Sequence, residues 1–161
     1  MAEFEVRPAR PEDARAMAEL FAAVAAERTG IASEPPVDID ERAAIFEAGM
    51  AGPAGTFVAI AGDQVVGLIR IKPSQHGFGD LAMLVDRDWR GRGVGSALVR
   101  AAIHRARGQG LHKLSLEVFA HNEAAIALYR KSGFAEEGRL TRQYRRASGE
   151  LWDAIVMGLL L

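Results

Sequence analysis

The chain of 161 residues contains no cysteine. This absence excludes disulfide bonds, thiolate metal sites and a covalent intermediate carried on a cysteine side chain. Aromatic residues make up only 7% of the sequence, and no apolar run approaches the roughly 20 residues that cross a membrane. Positive and negative charges nearly cancel to a net charge of −1, so the composition does not indicate nucleic-acid binding.

The beginning of the chain, MAEFEV, has neither a basic start nor a long apolar stretch. We therefore expect no signal peptide and a cytoplasmic location. The hydrophobic fraction of 49% and the length fit a single globular domain, which we expect to span residues 1–161.

The most informative stretch begins with the apolar run Leu81–Val85 and continues into the charged, glycine-rich Asp86–Gly95. Apolar residues then recur at helical spacing, at Val94, Ala97, Leu98, Ala101 and Ala102. This order predicts a buried strand, a tight turn and a helix. Free N–H groups and the dipole at a helix N-terminus attract anions, and glycines let a phosphate approach the backbone.

Two common phosphate loops do not fit this turn. A Walker loop ends in Gly-Lys-Ser/Thr, whereas Gly95 is followed by Ser96 and Ala97. A dinucleotide fingerprint lies early in a βαβ unit, whereas these glycines lie past the middle of the chain. What remains is an R-x-x-G-x-G pattern that begins at Arg90.

This pattern resembles the pyrophosphate loop of the GCN5-related N-acetyltransferase (GNAT) superfamily, which binds acetyl-CoA. A second segment, from Asn122 to Phe134, resembles the N-x-x-A-x-x-L-Y-x-x-x-G-F pattern of the same superfamily. The two motifs occur in the expected order and spacing. The resemblance extends over nearly the whole chain, and its tail is similar to a group that acts on amino acids and related small molecules.

The residue patterns predict the element order β-α-α-β-β-β-α-β-α-β-β, an α/β domain with a mixed sheet. A helix capped by Asp38 is expected to end at the Gly-Pro-Ala-Gly stretch of residues 52–55. The resemblance implies a GNAT-like fold with a mixed, mostly antiparallel sheet and flanking helices. In that fold the strands before and after the central helix splay apart, and the pantetheine arm of the cofactor lies in the gap.

The resemblance also implies which residues bind acetyl-CoA. Backbone groups of the loop would hold the pyrophosphate, at Arg90, Gly91, Arg92, Gly93, Val94, Gly95 and Ser96. Backbone groups of Met83, Leu84 and Val85 would contact the pantetheine, and Asn122 would cap its helix and contact the pantetheine as well. We expect no metal. Because there is no cysteine, direct transfer in a ternary complex is favoured over a covalent relay.

The candidate catalytic residues are a tyrosine and two carboxylates. Tyr129 lies where the family places the acid that protonates the departing thiolate, although a helical tyrosine can also simply fill the core. Asp80 precedes the loop on its strand, and Glu117 lies on the following strand; either could accept the proton of the amine through water, or be an ordinary surface carboxylate. His76 and His121 lie in predicted turns, where a lone histidine is usually solvated.

The expected acceptor is the amine of a small molecule. Four arginines, Arg139, Arg142, Arg145 and Arg146, fall in a predicted loop between the last two strands and suggest an acceptor that carries a carboxylate, or else form a solvated edge. Asp153 interrupts the apolar final strand and either pairs with such an arginine or faces solvent. The alternatives are a protein N-terminal or lysine acetyltransferase and a non-catalytic acyl-CoA-binding module. Small domains of this family often dimerise, so a homodimer is also considered.

Overall fold

The computed structural model describes residues 3–52 and 55–161. Its strands are β1 (Glu5–Pro8), β2 (Gly55–Ala61), β3 (Gln64–Pro73), β4 (Phe78–Val85), β5 (Lys113–Phe119), β6 (Ala135–Arg145) and β7 (Leu151–Leu160). Its helices are α1 (Ala14–Ala26), α2 (Ile39–Met50), α3 (Val94–Gly108) and α4 (Glu123–Lys131). This order confirms the predicted one. The expected break after α2 falls partly on Pro53 and Ala54, which lie outside the described residues.

The helix starts follow from local capping. The side chain of Asp38 accepts a hydrogen bond from the Glu41 N–H and begins α2, as the sequence predicts. A single 3-10 turn, Pro11–Asp13, leads into α1. The first helix ends at Ala26, two residues before Arg28, which adopts a left-handed φ of 61°.

The strands form one seven-stranded sheet in the order β1-β2-β3-β4-β5-β7-β6. Neighbouring strands run antiparallel except for β4 and β5, which run parallel. The mixed, mostly antiparallel sheet is therefore confirmed. Among the described residues, no helix is long and apolar enough to cross a membrane.

The central strands separate after a short paired stretch. Strand β4 pairs with β5 at Phe78–Lys113, Gly79–Leu114 and Asp80–Ser115, and the pairing ends there. On its other side β4 stays paired with β3 up to Val85, and β5 stays paired with β7 up to Phe119. The predicted splay is thus confirmed, and it begins directly after Asp80.

Helices pack on both faces of the sheet. Buried residues of α3, including Leu98 and Val99, share a core cluster with Ile69 of β3, while Met17 of α1 packs in a second cluster with Leu68. Adjacent residues of a strand point to opposite faces, so the two clusters lie on opposite sides of the sheet. Burial of these apolar side chains is the main force that fixes the helices against the strands.

The prediction of an arginine-rich loop is wrong, because most of that segment forms strand β6. Arg139 lies opposite Ile155, and the pairing with β7 shifts register between Leu140 and Tyr144. Arg142 lies within this irregular stretch and has a left-handed φ of 51°. Strand β6 is at the sheet edge and is exposed along most of its length. Its side chains therefore show no alternation of apolar and polar residues that would have indicated a strand.

Candidate active site

A cavity of about 760 Å³ occupies the gap between the splayed strands. Residues 81–85 of β4 and 117–119 of β5 form its two sides, and the start of α4 closes one end. Residues 29–32, which connect α1 and α2, also line it. Of the predicted site residues, the cavity brings together Met83, Leu84, Val85, Arg90, Gly91, Gly95, Glu117, Asn122 and Tyr129.

The glycine-rich loop presents free amides at the start of α3. Gly91 and Gly93 adopt left-handed φ angles of 72° and 86°, which glycine tolerates without strain. The first backbone bond of the helix joins the Ala97 N–H to the Gly93 carbonyl. The preceding amides of Val94, Gly95 and Ser96 therefore have no acceptor within the helix and, with the helix dipole, suit an anion.

Gly95 lets this first helical turn approach α4 and β4 closely. A Cβ at Gly95 would lie 2.7 Å from Leu128 Cδ1 and 3.4 Å from Met83 Cε. A larger residue would therefore push the helix start away from the cavity. Val94, in contrast, is buried in the core, and Arg92, Gly93, Val94 and Ser96 are not among the residues that line the cavity.

The side chain of Arg90 joins the loop to α1. Its guanidinium binds both carboxylate oxygens of Glu27, at 2.7 and 2.8 Å, and its Nε donates to the Val85 carbonyl at 3.1 Å. The guanidinium of Arg92 lies 5.0 Å from the centre of the Trp89 ring. Arg90 therefore orders the loop through its side chain, and the free loop amides remain available to a ligand.

Tyr129 is a buried phenol at the inner end of the cavity. Its ring packs edge to face on Phe134, with the ring centres 5.6 Å apart. Within residues 3–52 and 55–161, its hydroxyl makes no hydrogen bond. Burial raises the pKa of Tyr129 above its ordinary value, so the phenol is protonated at neutral pH. The protonated hydroxyl can thus donate a hydrogen bond to a group that enters the cavity.

Asn122 caps α4, as predicted. Its side-chain oxygen accepts a hydrogen bond of 3.2 Å from the Ala125 N–H. Because the oxygen is engaged in the cap, the amide NH₂ is the part of the side chain that remains for a ligand.

The two candidate carboxylates lie in different places. Glu117 lines the cavity, and its Oε1 accepts a hydrogen bond of 3.1 Å from the Tyr144 hydroxyl. Burial, followed by the charge and hydrogen bond of Glu117, raises the pKa of Tyr144. Asp80 is exposed where β4 and β5 are still paired, opposite Lys72 and Ser115, and is not among the lining residues. The structure therefore brings Glu117, but not Asp80, to the cavity.

The second arginine group does not line the cavity, contrary to the expectation that it would face the acceptor. The backbone N–H of Arg142 and the guanidinium of Arg139 both bind Asp153, at 2.7 and 2.8 Å, and they hold the pKa of that carboxyl below its usual value. Asp153 thus pairs with an arginine, the first of the two alternatives. Arg145 is exposed, whereas Arg146 is buried.

Sequence reasoning missed Tyr144 and set His121 aside as a turn histidine that is usually solvated. Tyr144 and His121 both line the cavity, and the ring of His121 stacks on Phe119 with the ring centres 5.5 Å apart. His121 Nε2 lies 2.9 Å from the Thr29 carbonyl, so this histidine is not simply solvated. These partners are 92 residues apart, and no local pattern indicates such a pair. Within the described ranges, no group of three or more His, Asp or Glu residues could hold a metal ion.

Comparison with known proteins agrees with this geometry. Residues 15–134 match the Acetyltransferase (GNAT) family. The L-methionine sulfoximine/L-methionine sulfone acetyltransferase of Pseudomonas paraeruginosa is 33% identical over 141 residues, which are 83% of this chain and 80% of that protein. The N-alpha-acetyltransferase RimI of Mycobacterium tuberculosis is 40% identical over 103 residues, which are 64% of this chain and 59% of that protein.

Solved structures show the same fold. A GNAT superfamily phosphinothricin acetyltransferase from Sinorhizobium meliloti, in complex with acetyl-CoA, superposes with a TM-score of 0.89. The alignment covers 100% of this chain and 89% of that one, at 20% identity. With the family match across residues 15–134 and the splayed strands already described, the chain belongs to the GNAT family of acetyltransferases.

Proposed function

We propose that this acetyltransferase moves the acetyl group of acetyl-CoA directly onto the amine of a small, amino-acid-like molecule. The observation that carries the proposal is that one cavity is lined both by Gly95, whose amide is free in the first turn of α3, and by Tyr129 with its buried phenol. The free amides are suited to a phosphate, and the buried hydroxyl is suited to a leaving thiolate. Acetyl-CoA carries both groups.

The residues present fit acetyl-CoA. The amides of Val94, Gly95 and Ser96 would hold the pyrophosphate. Beyond Asp80, the backbone groups of β4 that face the gap have no partner on β5, so Leu81–Val85 can bond the amides of the pantetheine. The NH₂ group of Asn122 would contact the same arm from α4.

Two residues of the chain would move protons during transfer. As the amine nitrogen bonds to the thioester carbon, the C–S bond breaks, and the Tyr129 phenol would protonate the departing thiolate. Glu117 would accept the proton that the amine loses, directly or through water. A backbone N–H of β4 would stabilise the negative charge on the carbonyl oxygen. Glu117 is assigned in preference to Asp80 because it lines the cavity.

The acceptor class is supported by the relative that acts on methionine sulfoximine and methionine sulfone, which aligns over most of both chains. An acceptor carboxylate would not be bound by the four arginines near β6, since none of them lines the cavity. A protein N-terminus is the second candidate acceptor, and the 40% identity with RimI favours it. A non-catalytic acyl-CoA-binding role would leave the buried phenol of Tyr129 without a use.

The test is release of free thiol from acetyl-CoA with matched amines. We expect release with methionine sulfone and much slower release with its carboxamide and with an alanine-initiated tetrapeptide. Preferred use of the tetrapeptide would instead support protein N-terminal acetylation. Tight binding of acetyl-CoA without thiol release on any amine would contradict the proposal.

Tyr129→Phe provides the matched control within the chain. Because general acid catalysis contributes about 10²–10⁴-fold, kcat should fall at least about tenfold while KM for acetyl-CoA changes little. The melting temperature should be preserved, since the ring and its packing on Phe134 remain. An unchanged kcat would remove Tyr129 from the mechanism.

A further inference from the structure

Arg146 is a charged side chain buried directly after β6. Only 4% of Arg146 is exposed to solvent. Its guanidinium lies over two aromatic rings, 5.1 Å from the centre of Phe119 on β5 and 4.4 Å from the centre of Trp152 on β7. A buried cation requires compensating partners, so its hydrogen bonds indicate what it holds.

Those partners all belong to residues 28–34, hereafter the 28–34 segment. Arg146 Nη1 donates to the Ala32 carbonyl at 2.9 Å, and Nη2 donates to the carbonyls of Arg28 and Ile31 at 3.3 and 3.4 Å. Glu34 Oε1 lies 3.8 Å from Nη2. One guanidinium therefore fixes several peptide groups of a segment that is otherwise without helix or strand.

Two further contacts hold the same segment. Glu34 Oε2 accepts a hydrogen bond of 2.8 Å from the Ala147 N–H, next to Arg146. The Thr29 carbonyl lies 2.9 Å from His121 Nε2. At its other end the segment adjoins Glu27, which binds Arg90 of the glycine-rich loop.

The 28–34 segment is also a wall of the cavity. Residues 29–32 line it together with Glu117, which would accept the proton of the acceptor amine, and Tyr144, which donates a hydrogen bond to Glu117. Arg146 itself is not among the lining residues. The guanidinium therefore supports the 28–34 segment from outside the cavity and would not contact the acceptor.

We propose that Arg146 is a positioning residue of the acceptor site, which holds the 28–34 segment where an acceptor amine must meet Glu117. This inference rests on the proposed function. Small displacements of a substrate wall have large kinetic effects, because the amine must approach the thioester carbon in a narrow range of geometries. The effect should appear in acceptor binding and leave acetyl-CoA binding intact, since the loop amides lie on α3 and do not touch Arg146.

The experiment compares Arg146→Met with Arg145→Met, a change at the exposed neighbouring residue that ends β6. In Arg146→Met we expect acceptor KM to rise about tenfold or more. The dissociation constant of acetyl-CoA should stay close to that of the unmodified protein. The NMR order parameters of the 28–34 backbone should fall, because the carbonyls that Arg146 holds lose their partner. Arg145→Met should leave all three measurements unchanged.

Glu34→Gln serves as a second variant in case Arg146→Met fails to fold. It removes the charge of Glu34, a half-buried partner of Arg146 and Ala147, and should raise acceptor KM and lower the 28–34 order parameters by smaller amounts. Lower order parameters with an unchanged acceptor KM would overturn the positioning role, and unchanged order parameters would overturn the clamp. Absence of thiol release by the unmodified protein would overturn the proposed function and this inference together.

Discussion

The two ends of the cavity are built by different means. At the cofactor end, strand β4, the glycine-rich loop and the start of α3 are consecutive in the chain, and they offer mainly backbone groups. At the acceptor end, side chains from distant segments meet: His121 and Thr29 are 92 residues apart, and Arg146 and Ala32 are 114 apart. A backbone site depends on the conformation of one short stretch, whereas a side-chain site depends on the whole fold bringing its parts together.

The largest effect should come from a charge placed at the cofactor end. Gly93→Asp introduces a carboxylate beside the amides that would bind the pyrophosphate, and a Cβ at Gly93 meets no atom within 4 Å. Like-charge contact costs several kcal/mol, so calorimetry should show acetyl-CoA binding weakened by about 100-fold or more.

Gly93→Asn separates this charge from backbone strain. Asparagine has nearly the same shape and experiences the same left-handed φ of 86° without the charge. It should retain most of the affinity that Gly93→Asp loses. Equal losses of acetyl-CoA affinity in both variants would show that the loop does not bind an anion. The contrast between a cofactor end built from backbone groups and an acceptor end built from side chains would then be wrong.

An intermediate effect is expected at the acceptor end. Glu117→Gln removes the proposed proton acceptor while the side-chain shape is retained, so kcat/KM should fall by about tenfold or more. The deficit should shrink as pH rises toward the pKa of the acceptor amine, because more of the amine is then already neutral.

Asp80→Asn is the matched control for Glu117→Gln. It changes an exposed carboxylate on the paired part of β4, and kcat/KM should stay within about twofold of the unmodified protein. A pH-dependent deficit in Asp80→Asn, with none in Glu117→Gln, would exchange the roles of the two residues.

The smallest effect concerns the pairing of β6 with β7 at the acceptor end. The pKa of Asp153 is lowered first by the Arg142 N–H and then by Arg139, so its stabilising effect is complete above the ordinary value of 3.8 and is lost as pH falls below it. Asp153→Asn should therefore lower the melting temperature by a few degrees at pH 7, and the difference should narrow near pH 3. Acetyl-CoA affinity should not change; a loss of affinity would show that the two ends are coupled through the sheet.

Sequence reasoning predicted the cofactor end of the cavity better than the acceptor end. The strand Phe78–Val85, the helix cap at Asn122 and the glycine-rich loop were all predicted, because each depends on neighbours in the chain. The strand β6 was expected, but its extension through the arginine-rich segment to Arg145 was missed, because an exposed edge strand with register shifts shows no alternation of apolar side chains. Arg146 looked like its neighbour Arg145 in the sequence, and only the tertiary packing of Phe119 and Trp152 distinguishes a buried clamp from a solvated arginine.

The early end of the β4–β5 pairing has a thermodynamic consequence. From Leu81 to Val85, β4 is unpaired on the side that faces β5, because the described strands offer no hydrogen-bond partner there. A ligand whose own amides bond these free backbone groups binds the folded chain and not the unfolded one. By linkage, the free energy of unfolding then rises with ligand concentration, by about 2.7 kcal/mol at 100 times the dissociation constant. Bound acetyl-CoA would therefore stabilise the folded protein. The cellular supply of acetyl-CoA would then affect the lifetime of the protein as well as its catalytic rate.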